Sequence, residues 1–133
     1  MIENNDILIT GGAGSIGSEL VRQLAVNNRV YFIDNNETAF FDLYEELKQQ
    51  NYKVFGKIGD IRDSDVFEDV IQTFGYPQLI FHTASLKHVS PAEWTPLEYV
   101  KTNILGSYNV LQFAKKHKVQ LINISTDKVV NAS

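Results

Sequence analysis

The apolar run Ile7-Leu8-Ile9 leads directly into Thr10-Gly11-Gly12-Ala13-Gly14-Ser15-Ile16-Gly17. Behind the glycines, Ile16, Leu20 and Leu24 recur at helical spacing. This is the pattern of a strand that turns sharply into a helix. Gly12, Gly14 and Gly17 match G-x-G-x-x-G, and Gly11, Gly14 and Gly17 match a wider-spaced form of it. One glycine permits the tight turn, one lets the backbone approach a pyrophosphate, and Gly17 lets the helix pack against the sheet. The N–H groups at the helix start, near Ser15 and Ile16, are then placed to meet phosphates. A plain glycine turn is the alternative, and the flanking strand and helix favour a dinucleotide site over it.

The rest of the chain continues the alternation. Short runs rich in Ile, Val and Phe occur at residues 7–10, 30–33, 54–55, 79–81 and 121–124. They suit strands buried on both faces of a parallel sheet. Helical patterns lie between them: Phe40, Leu43, Tyr44 and Leu47, then Val66, Val70, Ile71 and Phe74. The fourth helix is the best marked, opening on the capping box Thr95-Pro96-Leu97-Glu98. It carries Val100, Ile104, Leu111 and Phe113, and it closes on Lys115-Lys116-His117-Lys118, which complements the helix dipole. The fold class is therefore α/β, one domain over residues 1–133, with a doubly wound parallel sheet of strand order 3-2-1-4-5. Ligands bind such sheets at the carboxyl ends of strands 1 and 4, where the winding reverses. The glycine turn, His82-Thr83-Ala84-Ser85 and Ser125-Thr126-Asp127-Lys128 are expected to converge there.

Composition narrows the partners. A formal net charge of -4 leaves no basic surplus for nucleic acid or an anionic membrane. The absence of cysteine excludes disulfides and thiolate chemistry and fits a cytoplasmic origin. The opening Met1-Ile2-Glu3-Asn4-Asn5-Asp6 is no signal peptide, and no apolar stretch is long enough to span a membrane. No metal site is assigned.

Asp34 ends the second strand about 20 residues after the glycines, where a carboxylate accepts from adenosine ribose hydroxyls and repels a 2′-phosphate. That favours NAD over NADP. A turn-forming Asp ahead of Asn35-Asn36 is the alternative. Asp60-Ile61 follows the third strand and is expected beside the adenine; a helix-start turn capped by Asp63 explains the same residues. His82 is read as packing at a strand end rather than as a catalytic group.

Thr10 to Gly17, Asp34, Gly59-Asp60-Ile61-Arg62-Asp63, His82-Thr83-Ala84-Ser85-Leu86-Lys87-His88-Val89, Lys101-Thr102-Asn103-Ile104-Leu105-Gly106 and Ser125-Thr126-Asp127-Lys128 occur in that order. Together they resemble the extended short-chain dehydrogenase/reductases, which have a Rossmann-type fold. Within these, the chain is most similar to the polysaccharide-biosynthesis 4,6-dehydratases that act on UDP-N-acetylglucosamine. The resemblance covers nearly the whole chain but only the N-terminal part of a usual family member. It implies a tightly held NAD or NADP that is returned unchanged. A hydride leaves C4 of the sugar, water is lost across C5 and C6, and the hydride returns at C6. The product is a 4-keto-6-deoxy sugar nucleotide.

The resemblance makes Asp127 the acid and Lys128 the base of that elimination, with Thr126 on the C4 oxygen. A surface ion pair in a loop is the other reading of Asp127 and Lys128. By the same resemblance Thr83, Ala84 and Ser85 line the nicotinamide pocket, and Lys87 and His88 lie near the UDP-sugar; solvated loop residues are the alternative for the last two. Asn103 is implied to support the active-site backbone. Thr83 and Ser85 stand where the family has alanine, and Asn131-Ala132 replaces a common Asn-Pro. The family's Tyr or Met, followed four residues later by Lys, is expected beyond Ser133, so the chain is read as a fragment ending before the last strands. A nucleotide-sugar 4-epimerase and a non-catalytic dinucleotide-binding module are the competing functions. Analogy with the family also implies assembly into a homo-oligomer through helices on the sheet face, including the one at residues 95–118.

Overall fold

The computed structural model describes residues 2–83 and 96–124, with 96–103 described by their backbone alone. The elements are β1 (Asp6–Thr10), α1 (Ser15–Leu24), β2 (Arg29–Asp34), α2 (Glu37–Gln49), β3 (Val54–Ile58), α3 (Asp65–Thr73), β4 (Leu79–His82), α4 (Pro96–His117) and β5 (Gln120–Asn123). The five strands form one sheet in the order β3-β2-β1-β4-β5. All neighbouring strands pair in parallel. The doubly wound Rossmann-type arrangement expected from the alternation is the one observed.

Parallel strands covered on both faces need apolar residues at consecutive positions. Ile7, Leu8 and Ile9 of β1 are accordingly all without exposed surface. Leu8, Tyr31, Ile33 and Ile80 point to one face and pack with Val66, Val70, Val110 and Phe113 of α3 and α4. Ile7, Ile9, Val30 and Phe32 point to the other and pack with Val21, Phe40, Leu43 and Leu47 of α1 and α2. Each such side chain, fully buried, contributes about 1.5–3 kcal/mol of transfer free energy.

Three elements differ from the pattern reading. Strand β3 runs to Ile58, beyond the apolar pair Val54-Phe55, through Gly56 and Lys57. Gly56 belongs in the strand because a Cβ there would stand 2.8 Å from the Phe40 ring of α2. The buried residues of α1 are Gly17 and Val21, whereas Ile16, Leu20 and Leu24 are half-buried. The missing side chain at Gly17 lets that face of the helix settle on the turn. Among the described side chains of α4 the buried residues are Gly106, Val110, Phe113 and Ala114, while Ile104 and Leu111 face outward with Leu105 and Tyr108.

The register aligns the carboxyl ends of the strands. Thr10 is opposite Ile33 on one side and His82 on the other. Asp34 is opposite Ile58, and His82 opposite Asn123. The order reverses between β1 and β4, which places Thr10 and His82 on either side of the switch point.

Candidate functional site

The glycine turn hangs from the end of β2. The N–H groups of Gly11 and Gly12 both donate to the Ile33 carbonyl, at 2.7 and 3.1 Å. Gly11 then takes φ +69°, the left-handed region that favours glycine, and its carbonyl accepts from Gly14 N–H at 3.1 Å. Gly17 is required by packing, since a Cβ there would lie 2.0 Å from the Gly11 carbonyl oxygen. Gly14 differs from it. A Cβ at Gly14 would meet only the Gly11 oxygen, at 3.4 Å, and its φ is -74°. Neither the backbone conformation nor the protein's own packing demands glycine there. What its absent side chain leaves open is the approach to the helix from solvent.

Helix α1 begins at that opening. Its N-cap, Gly14, offers no side chain to the first N–H groups, and its first turn holds no acidic residue. Gly14 and Ser15 are exposed. The orphan donors and the positive end of the helix dipole are therefore free for an anion. These features fit a pyrophosphate.

Asp34 joins this turn to the next connection. One carboxylate oxygen accepts from Ala13 N–H at 2.9 Å and the other from Asn36 N–H at 2.8 Å. Asn36 in turn caps α2 by accepting from Ala39 N–H at 3.1 Å. The carboxylate thus serves as a turn former. Because each of its oxygens has two lone pairs, it keeps acceptor capacity for a ligand hydroxyl.

The connection after β3 is a closed turn. Asp63 N–H donates to the Asp60 carbonyl at 2.9 Å. Asp60 Oδ1 accepts from Arg62 N–H at 2.9 Å, and Oδ2 accepts from the Arg62 guanidinium at 2.7 and 3.0 Å. Burial pushes the Asp60 carboxyl up, but the guanidinium and the backbone N–H outweigh it and hold it below the usual carboxylate range. The N-cap of α3 is Ser64 rather than the expected Asp63, which lies one residue earlier and accepts from Asp65 N–H at 3.0 Å. The Ile61 side chain is buried against α4.

A polar chain, buried at Thr10, His82 and Thr83 and ending on exposed Ser107, crosses the switch point. Thr10 Oγ1 and His82 Nδ1 are 2.6 Å apart, and His82 Nε2 and Ser107 Oγ 3.1 Å. Burial lowers the His82 pKa, in keeping with a packed neutral imidazole. Thr83 N–H donates to Thr10 Oγ1 at 3.1 Å. Its hydroxyl donates to the Thr10 carbonyl at 2.5 Å and approaches the Gly11 carbonyl at 3.2 Å. That hydroxyl is therefore turned into the protein, where it fastens the glycine turn to the end of β4.

Gly11, Gly14, Ser15, Ile16, Gly17, Asp34, Asp60, Ile61 and Thr83 thus all lie along the carboxyl edge of the sheet. Ala84, Ser85, Lys87, His88, Thr126, Asp127 and Lys128 lie outside the described residues, as does the Asn103 side chain. Ser107 and Asn109 carry no signal of their own in the sequence, and Thr10 stands in the glycine motif without a sign of its bond to His82. Each is a single polar residue whose partners are 25 or more positions away in sequence.

Fold, strand order and glycine turn define a Rossmann-type protein of the short-chain dehydrogenase/reductase kind. The family model described as "Polysaccharide biosynthesis protein" matches residues 7–133, and the chain belongs to that family. An uncharacterized membrane protein of Methanocaldococcus jannaschii is 42% identical, over 97% of this chain and 38% of its own length. A UDP-N-acetylglucosamine 4,6-dehydratase (inverting) of Campylobacter jejuni is 33% identical over 98% of this chain and 39% of its own. A UDP-glucose 4-epimerase of Rickettsia bellii is 35% identical, with 98% and 39% covered. Among solved structures, the UDP-glucose 4-epimerase of Stenotrophomonas maltophila, with bound NAD and formylated UDP-arabinopyranose, superposes with a TM-score of 0.78 at 27% identity. It covers 95% of this chain and 38% of that one. The chain thus spans less than two fifths of the length of these relatives. Among the described residues, no helix is long and apolar enough to cross a membrane.

Proposed function

We propose that this chain is the NAD-binding part of a nucleotide-sugar 4,6-dehydratase that converts UDP-N-acetylglucosamine to a 4-keto-6-deoxy sugar nucleotide for polysaccharide biosynthesis. The observation that carries the cofactor reading is Gly14: a glycine that the protein's own packing does not need, standing at an uncapped, acid-free helix start. The backbone of Gly11, Gly14, Ser15, Ile16 and Gly17 holds the pyrophosphate. Asp34 takes the adenosine ribose on its remaining lone pairs and turns away a 2′-phosphate. Asp60 and Ile61 flank the adenine, and Thr83, Ala84 and Ser85 border the nicotinamide. Bound NAD supplies the hydride acceptor and donor. Thr126, Asp127 and Lys128 orient the sugar and move its protons, with Lys87 and His88 on the substrate side. The relatives that carry dehydratase names support this reading.

Relatives named as UDP-glucose 4-epimerases favour a second reading, in which hydride returns to C4 and no water is lost. The adjacent Asp127 and Lys128 favour the dehydratase, because an epimerase needs no acid at C6.

Calorimetric titration of the 133-residue chain with NAD and with NADP tests the cofactor reading. Saturable binding with NAD preferred is expected, and heat-silent titrations with both would overturn it. In a protein that joins this chain to the remainder of the family fold, Lys128→Ala is expected to abolish dehydration of UDP-N-acetylglucosamine. Retained dehydration removes Lys128 as the base, and 4-epimerised product in the unsubstituted protein selects the second reading.

A further inference from the structure

The turn that follows β3 is gripped by one turn of α4. Asn109 Nδ2 donates to the Ile61 carbonyl at 2.8 Å and to the Arg62 carbonyl at 3.0 Å. Both protons of that amide are thereby committed. Three residues earlier, Gly106 lets the helix come so close that a Cβ would stand 2.8 Å from Ile61 Cδ1. The amide has one workable orientation, since a flipped Asn would set its own oxygen against two carbonyl oxygens. The neighbouring Val110 and Phe113 pack in the core with Ile61 without fixing the direction of any carbonyl.

Two adjacent carbonyls drawn toward α4 fix how the rest of the turn faces. The same turn is tied to the end of β2, where Gly59 N–H donates to the Asp34 carbonyl at 3.0 Å. A dinucleotide laid from the glycine turn past Asp34 therefore brings its base to residues 60–62. We propose that Asn109 is a positioning residue that sets the Asp60-Ile61-Arg62 turn and, through it, the selectivity of the site for the adenine base. The selectivity part rests on the dinucleotide reading above, whereas the setting of the turn stands apart from it.

The test uses the whole chain and two variants, Asn109→Leu, which keeps the branching and heavy-atom count of Asn without its polar groups, and Asn109→Ala, which removes the amide without adding bulk. The probes are NAD and nicotinamide hypoxanthine dinucleotide, which carries a carbonyl in place of the adenine 6-amino group. Amide exchange at Arg62 and Asp63 is followed in parallel. The unsubstituted chain is expected to prefer NAD by about fivefold or more, the scale of one hydrogen bond. In the variants that ratio falls toward one, and Arg62 and Asp63 exchange about tenfold faster while core amides of β1 hold their protection. An unchanged ratio in a variant overturns the selectivity role, as does an unsubstituted chain that takes both dinucleotides equally. A chain that takes neither overturns both the dinucleotide reading and the selectivity role. Unchanged exchange at Arg62 and Asp63 in a folded variant overturns the positioning role whatever binds.

Discussion

Ala13 N–H donates to an Asp34 carboxylate oxygen at 2.9 Å, so the residue that ends β2 also braces the glycine turn that ends β1. Its other oxygen holds Asn36 N–H at 2.8 Å. Asp34→Ala leaves both donors to water. Hydrogen bonds to charged groups are worth about 1.5–3 kcal/mol where desolvated, and Asp34 is half-exposed. A loss of about 1–2 kcal/mol in urea unfolding is therefore expected. Asp34→Asn keeps one acceptor and recovers part of it. An unchanged midpoint for Asp34→Ala would show that the brace is not energetic.

Gly14 and Gly17 separate the demands of the ligand from those of the fold. Gly17→Ala drives a Cβ to 2.0 Å from the Gly11 carbonyl oxygen, which lies in the backbone and yields little. A loss of about 1–3 kcal/mol or more is expected, the usual cost of overpacking. Gly14→Ala meets only ordinary contact and a permitted φ, so its stability falls by no more than about 0.5–1 kcal/mol, the amount by which alanine is the poorer N-cap, and by less than for Gly17→Ala. Its NAD affinity is expected to fall by about tenfold or more, because the methyl occupies the pyrophosphate approach. Parental NAD affinity in Gly14→Ala would contradict the placement of the pyrophosphate.

Thr83 is expected to act through the protein rather than on a ligand. Its hydroxyl donates to the Thr10 carbonyl, with the Gly11 carbonyl at 3.2 Å. Thr83→Val keeps the shape and removes the donor, so about 1–2 kcal/mol should be lost in denaturant unfolding. Thr83→Ser should restore most of it. Equal stability of the Val and Ser variants would mean that the hydroxyl fastens nothing.

Much of this architecture is legible in the sequence because it depends on local signals. Short runs such as Ile7-Leu8-Ile9, rich in Ile and bounded by glycine, suit strands buried on both faces, and the glycines around Ile16 mark the strand-to-helix turn. What escaped depends on partners distant in sequence. Gly56 and Lys57 interrupt an apolar run, and only the approach of Phe40 shows why glycine suits the strand. The buried face of α1 is centred on a glycine, which an apolar count cannot see. Asn109 looks like any polar helix residue until the carbonyls of Ile61 and Arg62 are found against it. Thr83 was legible as a residue at the site, but the inward turn of its hydroxyl was not.

His82 makes the stability of the switch point depend on pH. Both ring nitrogens face hydroxyls, Thr10 at 2.6 Å and Ser107 at 3.1 Å, and burial holds the ring's pKa below its ordinary value of 6.5. The unfolded chain therefore binds this proton more readily than the folded one, and protonation favours unfolding. The stability tied to His82 is complete above about pH 6.5 and is lost as the pH falls from there through the lowered folded value. His82→Asn keeps a polar group near Thr10 but cannot titrate in this range. Between pH 7.5 and pH 5, both about the ordinary histidine range, the parent's thermal midpoint should fall more steeply than the variant's. Parallel profiles for the two proteins would show that His82 is not the group whose protonation loosens the carboxyl end of β4.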